Sequence, residues 1–131
     1  MSGMRKVATR LPAKDLDRAR AWYAEKLDLH PAEERPGGLL YVVDGCEFAL
    51  FASTGASDGS FTQMGFEVAD LRAAVAELRR RGVVFEEYEA PLATGDGIAT
   101  IEGNYASKGT GEFGAWFRDC EGNLLGIGQP F

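Results

Sequence analysis

The chain has 131 residues, 45% of them hydrophobic and 26% charged, the size and make-up of one folded domain over residues 1–131. Its 20 acidic and 14 basic residues leave a net charge of −6, which excludes nucleic acid as a partner unless a local basic stripe exists. No apolar run approaches the ~20 residues of a membrane span, no cleavable leader is read at the N-terminus, and Cys46 and Cys120 are isolated, so reduced thiols and a cytoplasmic location are expected.

An extended segment, Arg5 to Leu11, opens the chain. Asp15 then supplies an N-cap, and Leu16, Ala19, Tyr23 and Leu27 recur at helical spacing with Trp22 flanking the stripe. Strand-like runs follow at Ala32 to Arg35, Leu39 to Val43 and Phe48 to Ala52, with Asp44-Gly45 as a tight hairpin. A second extended segment, Phe61 to Val68, leads to Asp70, again an N-cap. Leu71, Ala74, Val75 and Leu78 form that helix's buried face, Arg79-Arg80-Arg81 complements its negative end, and Gly82 is a left-handed stop. Three more strands are read at Val83 to Tyr88, Glu112 to Arg118 and Asn123 to Ile127, the last two joined by the turn Asp119 to Asn123. Both helices open with Asp-Leu, 55 residues apart. Each half therefore reads β-α-β-β-β, one over about 5–54 and the other over about 60–129, an α+β duplication.

Between Tyr88 and Glu112 the pattern breaks into a stretch with five glycines from Ala90 to Gly111, read as an irregular loop. Its Ile98, Ile101 and Tyr105, mixed with Asp96, Glu102, Asn104 and Lys108, suit a lid over a pocket as well as a surface excursion. Gly109 to Gly114 matches the dinucleotide fingerprint G-x-G-x-x-G, but a loop precedes it and a strand-like run follows, where phosphate binding needs a strand and then a helix. His30, the only histidine, rules out a multi-histidine metal site. Glu86, Glu87 and Glu89 are read as a solvated strand.

The paired β-α-β-β-β modules, the Asp15-Leu16-x-x-Ala19 helix carrying Trp22-Tyr23, and the closing hairpin Trp116 to Leu124 resemble the glyoxalase/bleomycin-resistance/extradiol dioxygenase (vicinal oxygen chelate) superfamily over Arg5 to Gln129. The resemblance implies two modules curling their sheets into half-barrels around a central cavity, helices outside. It also implies a divalent metal held by first and last strands in the enzymatic members, and a homodimer. The family's ligand positions fall here on Ala8, Gln63, Ala49 and Gly126. Three carry no donor side chain and one offers a neutral amide, so no metal and no cofactor is expected.

Strand alternation then proposes a pocket lined by Ala8, Arg10, Ala49, Phe51, Phe61, Gln63, Glu67, Tyr105, Trp116 and Gly126. Arg10 and Glu67 are placed to pair or to meet ligand charge. Whether Trp116 with Arg118, or Phe117, faces inward is left open. The expectation is a metal-free protein binding a small organic molecule. The alternative is a glyoxalase-like lyase, isomerase or dioxygenase, with a displaced metal site at Glu47 or Glu67 or metal-free acid–base chemistry at Glu67 (the weak catalytic candidate), Tyr105 or Asp96.

Overall fold

A computed structural model describes residues 2–131. The first module runs β1 (Thr9–Ala13), α1 (Leu16–Leu27), β2 (Glu33–Arg35), β3 (Gly38–Val43) and β4 (Cys46–Ala52). The second runs β5 (Thr62–Glu67), α2 (Leu71–Arg80), β6 (Ala99–Glu102), a 3-10 turn (Ala106–Lys108), β7 (Gly111–Arg118) and β8 (Leu124–Pro130). The strands form two four-stranded sheets of the same order, β1-β4-β3-β2 and β5-β8-β7-β6, with β1–β4 and β5–β8 parallel and the rest antiparallel. The repeated Asp-Leu signal thus marks a repeated topology.

Local chemistry sets the helix ends. Asp15 and Asp70 accept the N–H of Arg18 and Ala73 at 3.0 and 3.1 Å, each satisfying a donor that the first helical turn leaves free. Glu121, from the closing turn of module two, adds a second cap to α1: its carboxylate accepts the N–H of Lys14 at 2.7 Å and of Asp15 at 3.2 Å, and pairs with Arg18 at 2.8 Å. Gly82 ends α2 at φ +88°, letting the Val83 N–H reach back to the Leu78 carbonyl at 3.0 Å. Asp44 and Gly45 both take positive φ, as the two-residue hairpin between β3 and β4 requires.

The helix-bearing faces of both sheets merge into one core. Leu11, Tyr41, Phe48 and Leu50 from the first sheet and Ala115, Phe117, Leu125 and Ile127 from the second surround Ala19 and Tyr23 of α1 and Leu71 and Val75 of α2. Trp22 stacks on Phe117 at 6.4 Å between ring centres, and Phe48 meets Phe66 edge-on at 5.9 Å, so aromatic contacts cross between the modules. Full burial of a side chain such as Phe117 contributes roughly 1.5–3 kcal/mol.

Two strand expectations are corrected. Residues 83–88 do not form a ladder strand; Phe85 makes one isolated bridge to Phe117, and Glu86 donates its N–H to the Trp116 carbonyl at 2.8 Å. The strand lies at Ala99–Glu102, inside the stretch read as an irregular loop, paired with the first half of β7. The outer edge of the eight-residue β7 is thus shared: β6 takes residues 111–114, and the 83–88 segment touches only further along. At the N-terminus the strand begins at Thr9, four residues later than read, and leaves Ala8 in the exposed segment before it.

Candidate functional site

Away from the core, alternation leaves one face of each sheet open. On β1 and β4 these are Arg10, Glu47, Ala49 and Phe51, as the sequence expects, while Leu11, Phe48 and Leu50 turn to the helices. On β7 the register is now settled: Phe117 is fully buried in the core, and Glu112, Gly114, Trp116 and Arg118 take the open face. Leu124, Gly126 and Gly128 face the same way on β8.

The expected lining is divided rather than gathered. Arg10 and Ala49 share a depression of about 450 Å³ with Glu33, Glu34 and Leu40, and the Arg10 guanidinium lies 5.5 Å from the centre of the Phe51 ring. Glu67, Trp116 and Gly126 line another of about 260 Å³, with Thr62, Gly65, Glu112 and Gly128. A third, about 440 Å³, lies between the modules and is lined by Glu47, Glu67, Thr9 and Lys108. Arg10 and Glu67 line different depressions and do not pair. Phe61 and Tyr105 are 65% and 77% exposed, and neither they nor Ala8 line these three depressions.

Gln63 is the clearest relocation. A bulge between Thr62 and Met64 shifts the register against β8, so Thr62 lines the depression and Gln63 does not. The Gln63 amide carbonyl accepts the Leu124 N–H at 3.2 Å and the Ser57 hydroxyl, and its NH2 donates to the side-chain amide oxygen Oδ1 of Asn123 at 3.0 Å. Asn123, fully buried, donates in turn to the Pro12 carbonyl at 3.1 Å and the Asp119 carboxylate at 2.9 Å. Asp119 also accepts the Tyr23 hydroxyl at 2.6 Å and the N–H groups of Glu121 and Asn123 at 2.9 and 3.0 Å. Gln63 thus belongs to a polar bracket joining β1, α1, β5 and the β7–β8 turn. A fully connected network of this kind stabilises where a half-satisfied one would not.

Electrostatics follow from that bracket. Burial pushes the Tyr23 phenol well above its usual range, and the adjacent Asp119 charge adds to the effect. Burial, again helped by Asp119, lifts the Cys120 thiol to about 11. Burial alone would raise Glu121, but the Lys14 N–H, Arg18 and the Asp15 N–H outweigh it and hold the carboxyl below the usual range. The Tyr41 phenol is pushed up to about 12 by burial, and its hydroxyl is the one buried side-chain polar atom without a partner among the described residues.

The four positions that the resemblance assigns to metal ligands do not fit a divalent ion. Ala8, Ala49 and Gly126 offer no donor side chain, and the Gln63 carbonyl is spent within the bracket. Glu47 is held by Lys6 at 2.8 Å, and among the described residues no three His, Cys, Asp or Glu side chains converge. Catalytic zinc ordinarily takes three protein donors, and magnesium a set of oxygens.

Two polar residues lining the depression at Trp116, Thr62 and Glu112, escaped the sequence. Thr62 was hidden by the bulge, which leaves no mark in composition. Glu112 was within reach, because stepping back from an inward Trp116 through Gly114 arrives at it.

With the geometry in place, comparison with known proteins is informative. The profile of the Glyoxalase/Bleomycin resistance protein/Dioxygenase superfamily matches residues 6–127. Among solved structures, a glyoxalase/bleomycin resistance protein/dioxygenase from Alicyclobacillus acidocaldarius superposes with a TM-score of 0.70 at 18% identity, covering 98% of this chain and 96% of its own. TnmS3, an antibiotic binding protein from Streptomyces sp. CB03234, gives 0.62 at 22% identity, with 100% and 99% covered. The fosfomycin resistance protein FosX from Listeria monocytogenes, complexed with Mn(II) and a dihydroxypropylphosphonic acid, gives 0.63 at 12% identity, with 97% and 89% covered. At these identities the likeness is one of fold. No curated protein sequence matches the chain.

Proposed function

Because the chain belongs to the glyoxalase/bleomycin resistance protein/dioxygenase superfamily, we propose that it uses the open faces of its sheets to bind a small organic molecule without a catalytic metal ion. The observation that carries this reading is the donor set: Ala8, Ala49 and Gly126 stand where enzymatic relatives place ligands, and Gln63 is committed to the bracket. The structures named above include an antibiotic binding protein and a resistance protein complexed with Mn(II), and this donor set does not suit a metal site like the second.

The reading includes a homodimer in the cytoplasm. Arg10 and Ala49 line one depression while Glu67, Trp116 and Gly126 line another, so one chain supplies two separate walls. A second copy setting its first-module wall against this second-module wall would close them into one cavity. Among the described residues, no helix is long and apolar enough to cross a membrane.

A thermal-shift screen against divalent metals and small organic molecules, with sedimentation analysis alongside, tests the proposal. A molecule that binds only the native state adds about 2.7 kcal/mol of stability at a hundredfold excess over its dissociation constant. The proposal expects such a shift from an organic compound, none from manganese, zinc or nickel, and a particle of two chains. A metal-dependent shift with no organic hit would overturn it in favour of the displaced-metal alternative at Glu47 and Glu67.

A further inference from the structure

The second-module wall combines a bare floor, an aromatic ring and negative charge without a partner. The floor is glycine. A methyl group on Gly126 would sit 3.4 Å from the pyrrole side of the Trp116 indole, and one on Gly114 would sit 3.0 Å from its benzo side. The ring therefore lies along the sheet across these two bare positions, with the Tyr88 ring at 77° to it and 5.7 Å away between ring centres. Trp116 lines the depression.

Charge gathers next to that ring. Glu67 is the cross-strand neighbour of Gly128, and a methyl group on Gly128 would lie 2.9 Å from a Glu112 carboxylate oxygen. Both carboxylates thus flank one bare backbone position, and both line the depression that Trp116 lines. Neither makes an ion pair among the described residues. Other carboxylates and cations nearby are compensated: Lys6 holds Glu47, and Glu86 holds Arg118 at 2.7 Å. Lys108 lines the adjoining depression with Glu67 but forms no ion pair with it.

Two carboxylates without ion pairs in one depression disfavour an anionic guest and favour a cationic one. An indole face attracts positive charge and stacks on flat rings. Resting on the small-molecule reading above, we infer that this wall selects a planar aromatic cation, its ring on Trp116 and its positive nitrogen between Glu67 and Glu112.

Isothermal titration at low salt with three tricyclic probes of similar outline tests this: cationic proflavine, neutral acridone and anionic anthracene-2-carboxylate. Proflavine should bind about tenfold tighter than the anion. That ratio should collapse in the Glu67→Gln/Glu112→Gln double variant and reverse in Glu67→Lys/Glu112→Gln. Both side chains are solvated, so unchanged melting temperatures will show that the variants fold. Trp116→Leu should weaken all three probes. If the anion binds as tightly as proflavine, or the ratio survives the double variant, the charge assignment is overturned while Trp116-dependent binding sustains the binding-protein reading. If no probe of any charge binds, both fall.

Discussion

The two modules share a topology yet treat their open faces in opposite ways. In the first, Arg10 lies over Phe51, and Lys6 holds Glu47. In the second, glycines clear the floor under Trp116, while Glu67 and Glu112 are left without cations. Duplication supplied one frame twice, and the side chains then made one wall self-sufficient and the other receptive. The contrast extends to the turns. Asp44-Gly45 is a minimal solvent-side hairpin, whereas the corresponding Asp119 to Asn123 turn carries the buried bracket that ties the modules together.

The largest expected effect lies in that bracket. Asp119→Ala strips the partner from the Tyr23 hydroxyl and from three N–H donors, and should cost about 3 kcal/mol. By calorimetry this is a drop of roughly 10 °C in melting temperature, whereas Asp44→Ala should cost far less. A double cycle with Tyr23→Phe should show strong coupling, and simple additivity would break the picture of a single network.

Next in size is the asymmetry of the walls. Trp116→Leu should weaken binding of any aromatic ligand about tenfold or more, whereas Phe51→Leu should change it less than about threefold. Equal losses would show that both walls contribute alike.

The pH dependence of stability should register the burial of Tyr23. Its pKa is raised by burial and by Asp119, so the folded chain keeps the proton that the unfolded chain releases near 10.0. The contribution is fully present below about pH 10 and is lost as pH rises further. Denaturant titrations at pH 8 and 10.5 should show a smaller loss of stability in Tyr23→Phe than in the parent. Tyr41 is the counter-case, buried with no partner for its hydroxyl. Tyr41→Phe should be neutral or stabilising by up to about 1 kcal/mol. The smallest effect concerns the thiols. Iodoacetamide at pH 8 should label exposed Cys46 well before Cys120, whose thiol is raised to about 11.

What the sequence made legible is what local chemistry dictates. Asp15 and Asp70 announce their helices, Asp44-Gly45 its hairpin, and the alternation of Phe48-Ala49-Leu50-Phe51 its two faces. What stayed hidden depends on pairing. Val83 to Tyr88 is rich in strand-forming residues but finds only one bridge on β7, while Ala99 to Glu102, short and set among glycines, finds a whole edge. The bulge at Gln63 exchanged an expected pocket residue for Thr62. Tyr105 and Phe61, chosen for their chemistry, sit apart because loop paths do not follow from composition.

Metal content measured on protein purified without chelator bears most directly on the whole account. Inductively coupled plasma mass spectrometry should find manganese, zinc, nickel and iron far below one per chain, with no change in melting temperature after chelation. One ion per chain, surviving dialysis and lowering the melting temperature when removed, would contradict it.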